Sequence, residues 1–150
     1  MYAIAYLSNT ESNLILSSDE MGRDAMTAYA ELVKDNIELD YLKLDYPYDK
    51  DLLHGIFELI LETVLSTSAR TVIASNEYPT ELVESKFLKL NSSHIRYVMD
   101  CLQQNTTKVK NIKKYMLAAL FNAPTTIDGY YQAEVHHDMP ELVLQRGATQ

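Results

Sequence analysis

KFLKLNSSHIRYVMDCLQQNTTKVKNIKKYMLAALFNAP, residues 86–124, is the stretch that decides the fold, because it holds two helical patterns joined by a short polar connection. The first helix follows the run Asn91–Ser93, whose side chains can accept hydrogen bonds from the free amides of a helix start. Its apolar residues recur at helical spacing and form one stripe: Ile95, Val98, Met99 and Leu102. After the polar run 103–107, Thr106 or Thr107 is expected to cap the second helix.

The second helix is predicted to run from Val109 to Ala123 and to end at Pro124, since the residue before a proline is pushed out of helical geometry. Its apolar face consists of Val109, Ile112, Met116, Ala119, Leu120 and Ala123. At about 100° per residue, the lysines fall on roughly the opposite side: Lys110, Lys113 and Lys114. Leu117 and Phe121 lie on that lysine side, and we expect both to be exposed unless another element covers them.

Charge is unevenly distributed along the chain. The 150 residues carry a net charge of −8, yet residues 86–114 hold seven basic residues and one acid, a local charge of +6 that leaves −14 for the remainder. The basic residues are Lys86, Lys89, Arg96, Lys108, Lys110, Lys113 and Lys114. With Tyr115, Leu117 and Phe121 they form the candidate surface for a phosphate-bearing or acidic partner. The asymmetry equally fits two faces that attract each other within an oligomer.

Length and composition indicate one mainly α-helical domain. A chain of 150 residues, 47% of them hydrophobic, can bury a substantial core. We expect a compact domain of five to six helices over residues 19–139, with at most a short β-hairpin or strand pair. Residues 1–18 are predicted to be a leader or a small hairpin of Tyr2–Leu7 with Asn13–Leu16. Residues 140–150 are predicted to be a flexible tail.

Local sequence patterns predict the helices and strands in the middle of the chain. Leu52–Leu65 is apolar over most of its circumference, which is typical of a central helix, and Gly55 within it suggests a close contact between helices. Thr71–Ala74 favours a strand, and Asn76–Pro79 favours a turn. A helix from Thr80 to about Leu88 should follow. Its inward-facing residues are predicted to be Leu82, Val83 and Phe87.

The sequence lacks the patterns of an enzyme, a metal site or a cofactor site. It contains no P-loop, GxGxxG, HExxH or CxxC motif, and no acid–base pair has a catalytic spacing. His136 and His137 are adjacent, so on a helix they point about 100° apart, which is unfavourable for holding one ion. Cys101 lies beside an apolar stripe and is expected to be an inert buried thiol. A lone cysteine, no basic leader and no apolar run of membrane-spanning length indicate a cytoplasmic protein without membrane contact.

Three stretches carry a family resemblance: FLKLNSSHIRYVMDCLQQNTTKVKNIKKYMLAALFNAP, DYPYDKDLLHGIFELILETV and GYYQAEVHHDM. Over roughly Ala25 to Met139, the chain closely resembles the C-terminal domain of replication initiator A (RepA) proteins of Firmicutes plasmids and integrative elements. That domain is similar in turn to the DnaD-like helical domains of primosome proteins. The resemblance implies a DnaD-like fold and an accessory module that contacts host replication proteins, such as the primase, the helicase loader or the initiator.

The DnaD-like signature is a tyrosine, an isoleucine four residues later and a tryptophan four residues after that. Tyr115 matches its first position, whereas Ala119 and Ala123 occupy the other two. The aromatic group that the signature offers to single-stranded DNA is therefore missing, and the acidic remainder of the chain repels DNA. We therefore rank recruitment of host proteins first and weak DNA binding through the basic residues second. A homo-oligomerisation domain built on Leu117 and Phe121 is a third interpretation, compatible with the first.

Overall fold

Six helices and one two-stranded hairpin make up the described part of the chain. The computed structural model describes residues 11–105 and 110–138, and the side chains of residues 22–105 and 110–127. The elements are α1 (Glu11–Ile37), α2 (Leu39–Asp45), α3 (Lys50–Val64), β1 (Arg70–Ile73), β2 (Asn76–Pro79), α4 (Thr80–Phe87), α5 (Ser92–Asn105) and α6 (Ile112–Asp138). This architecture confirms the mainly α-helical class with one short hairpin.

Helix α3 forms the centre of the core, as its sequence predicts. It contacts α1, α2, α4 and α6, and the side chains of Leu53, Ile56 and Ile60 are fully buried. Burial on several sides explains why apolar residues occupy most of the circumference of this helix. The predicted close contact at Gly55 is wrong, because a Cβ atom built there would meet nothing within 4 Å.

Helices α1 and α2 are separated by one residue in a left-handed conformation. Glu38 has φ 54° and ψ 51°, a region that costs a non-glycine residue about 1–2 kcal/mol. The change of backbone direction at Glu38 lets Leu39 and Leu42 of α2 join the core, where they are 2% and 0% exposed. Burial of these two leucines offsets the local strain.

The hairpin lies between α3 and α4 rather than at the N-terminus. Strands β1 and β2 are antiparallel, with Thr71 opposite Tyr78 and Ile73 opposite Asn76. Ala74 and Ser75 both have positive φ, as the two central residues of a type I′ turn require. The strand predicted at 71–74 is therefore confirmed for residues 71–73, while Ala74 belongs to the turn. The turn predicted at 76–79 is wrong, since those residues form β2.

The N-terminal boundary and one helix face differ from the sequence expectations. Helix α1 already begins at Glu11, so the stretch 13–16 is helical and does not pair as a strand. In α4, Val83 and Phe87 are buried as expected, but Leu82 is 43% exposed. Residues 1–10, 106–109 and 139–150, with the expected leader, the threonine cap and the tail, lie outside the described residues.

Helix α6 starts later and ends later than predicted. The side chain of Asn111 accepts a hydrogen bond from the Lys114 amide at 3.0 Å, so Asn111 caps the helix. The helix then passes through Pro124 and continues to Asp138. Proline leaves the Leu120 carbonyl without its helical partner.

Packing and neighbouring hydroxyls hold α6 together around the proline. Ala123 and Ile127, on either side of Pro124, are 0% and 9% exposed, which keeps both halves docked on the core. The hydroxyls of Thr125 and Thr126 each donate to the Asn122 carbonyl at 2.9 Å. Thr125 and Thr126 therefore support a continuing helix through local side-chain bonds.

The buried face of α6 is rotated from the predicted one. Phe121 is only 6% exposed and Leu117 is half-buried, whereas Ile112 is 48% exposed. The hairpin covers Phe121, since the Tyr78 ring lies 4.7 Å from it between centroids. The fold therefore covers Phe121, whereas Leu117 stays half-buried, so only Leu117 of the predicted oligomer patch is accessible.

Candidate functional site

Arg96 belongs to a structural ion pair and not to a free basic surface. Its guanidinium, on α5, donates a hydrogen bond to the carboxylate of Asp45 at the end of α2. That hydrogen bond raises the pKa of Arg96 above its ordinary value. The same guanidinium lies 5.8 Å from the centroid of the Tyr46 ring, a cation–π distance. Arg96 thus fastens α5 to the segment that follows α2.

Two of the lysines are also engaged with the rest of the domain. Lys113 donates to Glu62 of α3 at 3.1 Å, and the Nζ atom of Lys86 lies 4.1 Å from the centroid of the Phe121 ring. Lys110, Lys113 and Lys114 are all exposed, as predicted for the lysine side of this segment. The carboxylate of Glu62 nevertheless neutralises part of the positive charge of Lys113.

Three of the candidate cations are exposed and have no ion pair among the described residues: Lys89, Lys110 and Lys114. Lys108 lies outside the described residues. Tyr115 is half-buried, and its hydroxyl accepts a hydrogen bond from the Asn105 side chain at 3.2 Å. The candidate surface is therefore smaller than the sequence suggests, because half of its six described cations contact other parts of the fold.

A different surface exposes large apolar side chains, and we call Tyr41, Leu44 and Tyr48 the tyrosine surface. Their exposed fractions are 69%, 74% and 96%. Tyr41 and Leu44 are three residues apart on α2 and so share one side of it, opposite the buried Leu39 and Leu42. Tyr48 follows in the turn before α3. Apolar side chains this exposed and this close in sequence are typical of a contact surface.

The tyrosine surface was not predicted, because the alternating apolar pattern of residues 37–46 fits neither a helix nor a strand clearly. The available signal was an excess of apolar residues, since a seven-residue helix cannot bury Leu39, Tyr41, Leu42 and Leu44 together. The buried pair, Leu39 and Leu42, and the exposed pair, Tyr41 and Leu44, are each three residues apart, which is a helical spacing. A helical interpretation of this short segment would have identified the outward pair.

Acidic residues dominate the segment that carries the tyrosine surface. Residues 38–51 contain five acids and two lysines, a local charge of −3. Arg96 compensates one of the acids, Asp45. The segment therefore keeps an excess of negative charge close in sequence to its exposed apolar side chains. This negative charge favours a partner that carries lysine or arginine.

A groove lies at the other end of α3. Its volume is about 470 Å³, and its lining combines apolar residues with hydroxyl groups and one ion pair. The lining residues are Leu59, Glu62, Thr63, Leu65, Ser66, Thr67, Ser68, Thr71, Lys113 and Leu117. This groove offers both apolar surface and hydrogen-bonding groups to a ligand.

Neither a metal cluster nor a membrane span occurs in the part of the chain that the structure describes. No group of three or more His, Cys, Asp or Glu side chains is placed to hold an ion there. No helix in that part is long and apolar enough to cross a bilayer. Cys101 is half-buried in α5 rather than fully enclosed.

The comparisons with known proteins yield a family and no named relative. No curated protein and no solved structure matches the chain. One family model matches residues 15–141, a range that begins within α1 and extends beyond the end of α6. Since this match spans most of the 150 residues, the chain belongs to DUF6017, a family of unknown function.

Proposed function

We propose that this protein is a cytoplasmic protein-interaction domain that recruits host replication proteins for a plasmid or integrative-element replication initiator. The replication context rests on the resemblance of residues 25–139 to the C-terminal domain of RepA proteins. The interaction role rests on the tyrosine surface. The host partner is the primase, the helicase loader or the initiator.

The exposure of Tyr41, Leu44 and Tyr48 is the observation that carries the interaction role. Tyrosine is enriched where protein interfaces gain most of their binding energy, because its ring brings large contact area with few rotatable bonds. Covering such side chains removes apolar surface from water, which favours association and offsets part of the entropy lost on binding. Side chains that stay in water contribute nothing to the hydrophobic stabilisation of the domain itself.

The helix that carries Tyr41 and Leu44 is anchored to the domain, which lowers the entropic cost of binding through them. Leu39 and Leu42 fix α2 in the core, and Arg96 holds Asp45 at its end. Tyr46, beneath the Arg96 guanidinium, is half-buried. A partner would therefore meet Tyr41 and Leu44 on a fixed helix.

A binding assay with purified host proteins tests the proposal. Primase, helicase loader and initiator are each titrated with the domain at physiological salt. We expect one of them to bind with micromolar affinity, and we expect Tyr41→Ser with Tyr48→Ser to weaken it at least tenfold. The matched control is Tyr78→Phe, which alters a tyrosine of the hairpin. If none of the three proteins binds, the recruitment function is wrong.

Nucleic-acid binding is the second candidate, favoured by the exposed Lys110 and Lys114 near the start of α6. Neutralising phosphates would make binding salt-dependent, with a log–log slope of about −0.7 per contact on single strands. The ion pairs of Arg96 and Lys113 leave fewer free cations for this role. Replacing Lys110 and Lys114 with glutamate should abolish oligonucleotide binding if this candidate is right; unchanged affinity would reject it.

A further inference from the structure

We propose that the tyrosine surface binds arginine side chains of a partner protein, each held by a tyrosine ring and the aspartate next to it in sequence. This binding mode rests on the proposed interaction role of the tyrosine surface and names the chemistry that the surface recognises. Three features support it: an arginine that the same segment already holds, two further tyrosine–aspartate pairs that are exposed, and an excess of negative charge around them.

The domain's own Arg96 shows how this segment receives a guanidinium group. The carboxylate of Asp45 accepts a hydrogen bond from Arg96, and the guanidinium lies 5.8 Å from the centroid of the adjacent Tyr46 ring. A guanidinium suits both contacts, because it is planar, donates hydrogen bonds within its plane and stacks with its face on an aromatic ring. In this chain, an aspartate beside a tyrosine therefore already acts as an arginine-binding pair.

The same pair of residue types occurs twice more in the segment. Asp40 precedes Tyr41, and Asp49 follows Tyr48. The two tyrosines are 69% and 96% exposed, and neither aspartate forms an ion pair among the described residues. Asp49 stands directly before α3, yet its side chain makes no capping hydrogen bond to that helix. Both pairs are therefore available to a cation from another molecule.

Leu44 adds an apolar contact for the stem of an arginine. It lies one helical turn beyond Asp40 and Tyr41, so the three side chains share the outer side of α2. The buried Leu39 and Leu42 occupy the opposite side. An arginine can place its methylene groups on Leu44 while its guanidinium reaches the ring and the carboxylate. A lysine has a similar stem, but its ammonium group has no planar face to stack on a ring.

The charge of the segment favours a basic partner over a second copy of the chain. Residues 38–51 carry a net charge of −3, and Arg96 compensates only one of their acids, Asp45. The whole chain has a net charge of −8, so two copies repel each other, and a nucleic acid is repelled from this segment in the same way. An arginine-bearing protein segment gains from the rings and from the charge together.

Fluorescence anisotropy of a labelled peptide tests this binding mode without a host protein. The probe is a short peptide in which arginine alternates with glycine and serine, and the comparison peptide has lysine at each arginine position. At low salt, the full chain should bind the arginine peptide about threefold more tightly or better. Tyr41→Leu with Tyr48→Leu should weaken that binding about tenfold, whereas Tyr41→Phe with Tyr48→Phe should retain it, because phenylalanine keeps the ring.

Asparagine variants test the carboxylates separately from the rings. Asp40→Asn with Asp49→Asn should weaken binding of the arginine peptide about fivefold or more. The matched control, Asp24→Asn with Glu81→Gln, removes the same charge from exposed positions on α1 and α4 and should bind like the wild type. Each variant must keep the helical circular dichroism of the wild type. The comparison of the two peptides on the wild type needs no variant at all.

Four results would overturn the binding mode. They are no binding of the arginine peptide up to about 1 mM, equal binding of the lysine peptide, an unchanged Kd for the leucine variant, and an equal loss in the charge-matched control. The proposed function would survive each of them, since a host protein can bind the tyrosine surface through apolar contacts alone. Conversely, a failure of all three host proteins to bind would leave the peptide result standing.

Discussion

Arg96 and Asp45, 51 residues apart in sequence, form the ion pair that joins the first half of α5 to the end of α2. Their side chains are 38% and 51% exposed, so water screens part of the attraction. The pair still fixes the segment that carries the tyrosine surface, because Arg96 also lies over Tyr46. The main effect of the ion pair is therefore to position this segment.

A double-mutant cycle on Asp45→Asn and Arg96→Gln should give a coupling energy of about 0.5–1 kcal/mol in the free energy of unfolding. The control cycle uses Glu62→Gln and Lys113→Gln, whose side chains are more exposed at 66% and 60%. We expect a smaller coupling there. Chemical denaturation at low salt measures both cycles, and a zero coupling for the first pair would refute its stabilising role.

Phe121→Ala should destabilise the domain by about 3–5 kcal/mol, because the ring is 6% exposed and is covered by Tyr78 and Lys86. Ile112→Ala is the matched control on the same helix. At 48% exposure, Ile112 should change the free energy of unfolding by less than about 1 kcal/mol. If Ile112→Ala proved more destabilising than Phe121→Ala, the buried face of α6 would be the one that the spacing of its apolar residues predicts.

Gly55→Ala should stabilise the domain by about 1 kcal/mol. The position lies inside α3, where alanine is favoured over glycine by about that amount, and the added methyl group meets no atom within 4 Å. Thermal or urea unfolding measures the change. The control is Ala30→Gly in α1, which should lose a similar amount. A destabilised Gly55→Ala variant would show that the helices approach more closely there than the structure has them.

His94 should make stability depend on pH. Its Nδ1 atom accepts a hydrogen bond from the Asn91 amide at 3.0 Å, so the ring is neutral in the cap, and burial lowers the pKa of His94. Above the ordinary histidine pKa of about 6.5, this contribution is fully present. As the pH falls from there through the lowered pKa, the unfolded state binds the proton more readily and stability declines.

The measurement is the free energy of unfolding of the wild type and His94→Gln between pH 5 and about 8. The two curves should diverge at the low end of this window. His54→Gln, which alters a side chain that is 51% exposed, is the control and should keep the wild-type decline. Parallel curves for the wild type and His94→Gln would remove His94 as the cause.

Several elements follow directly from local chemistry. The start of α5 was predicted from Asn91, whose side chain accepts the His94 amide at 3.2 Å. The position of α3 was predicted from apolar residues on most of its sides. In both cases the deciding interaction lies within one helix or follows from its overall burial, so the sequence pattern alone identifies it.

The errors arise where distant contacts outweigh a local preference. Pro124 favours a helix end, but burial of Ala123 and Ile127 keeps the helix continuous. Phe121 was assigned to the lysine side of its helix, and no local pattern shows that Tyr78 of the hairpin covers it. The tyrosine surface was not predicted because its segment has no clear helical period, and only the helical geometry of α2 places Tyr41 and Leu44 on its outer side.

The tyrosine surface and the groove lie near opposite ends of α3, because Tyr48 precedes its first residue and the groove is lined from Leu59 onward. A protein seated on the tyrosine surface would therefore leave the groove accessible. One copy of the domain could then bridge two different molecules at the same time.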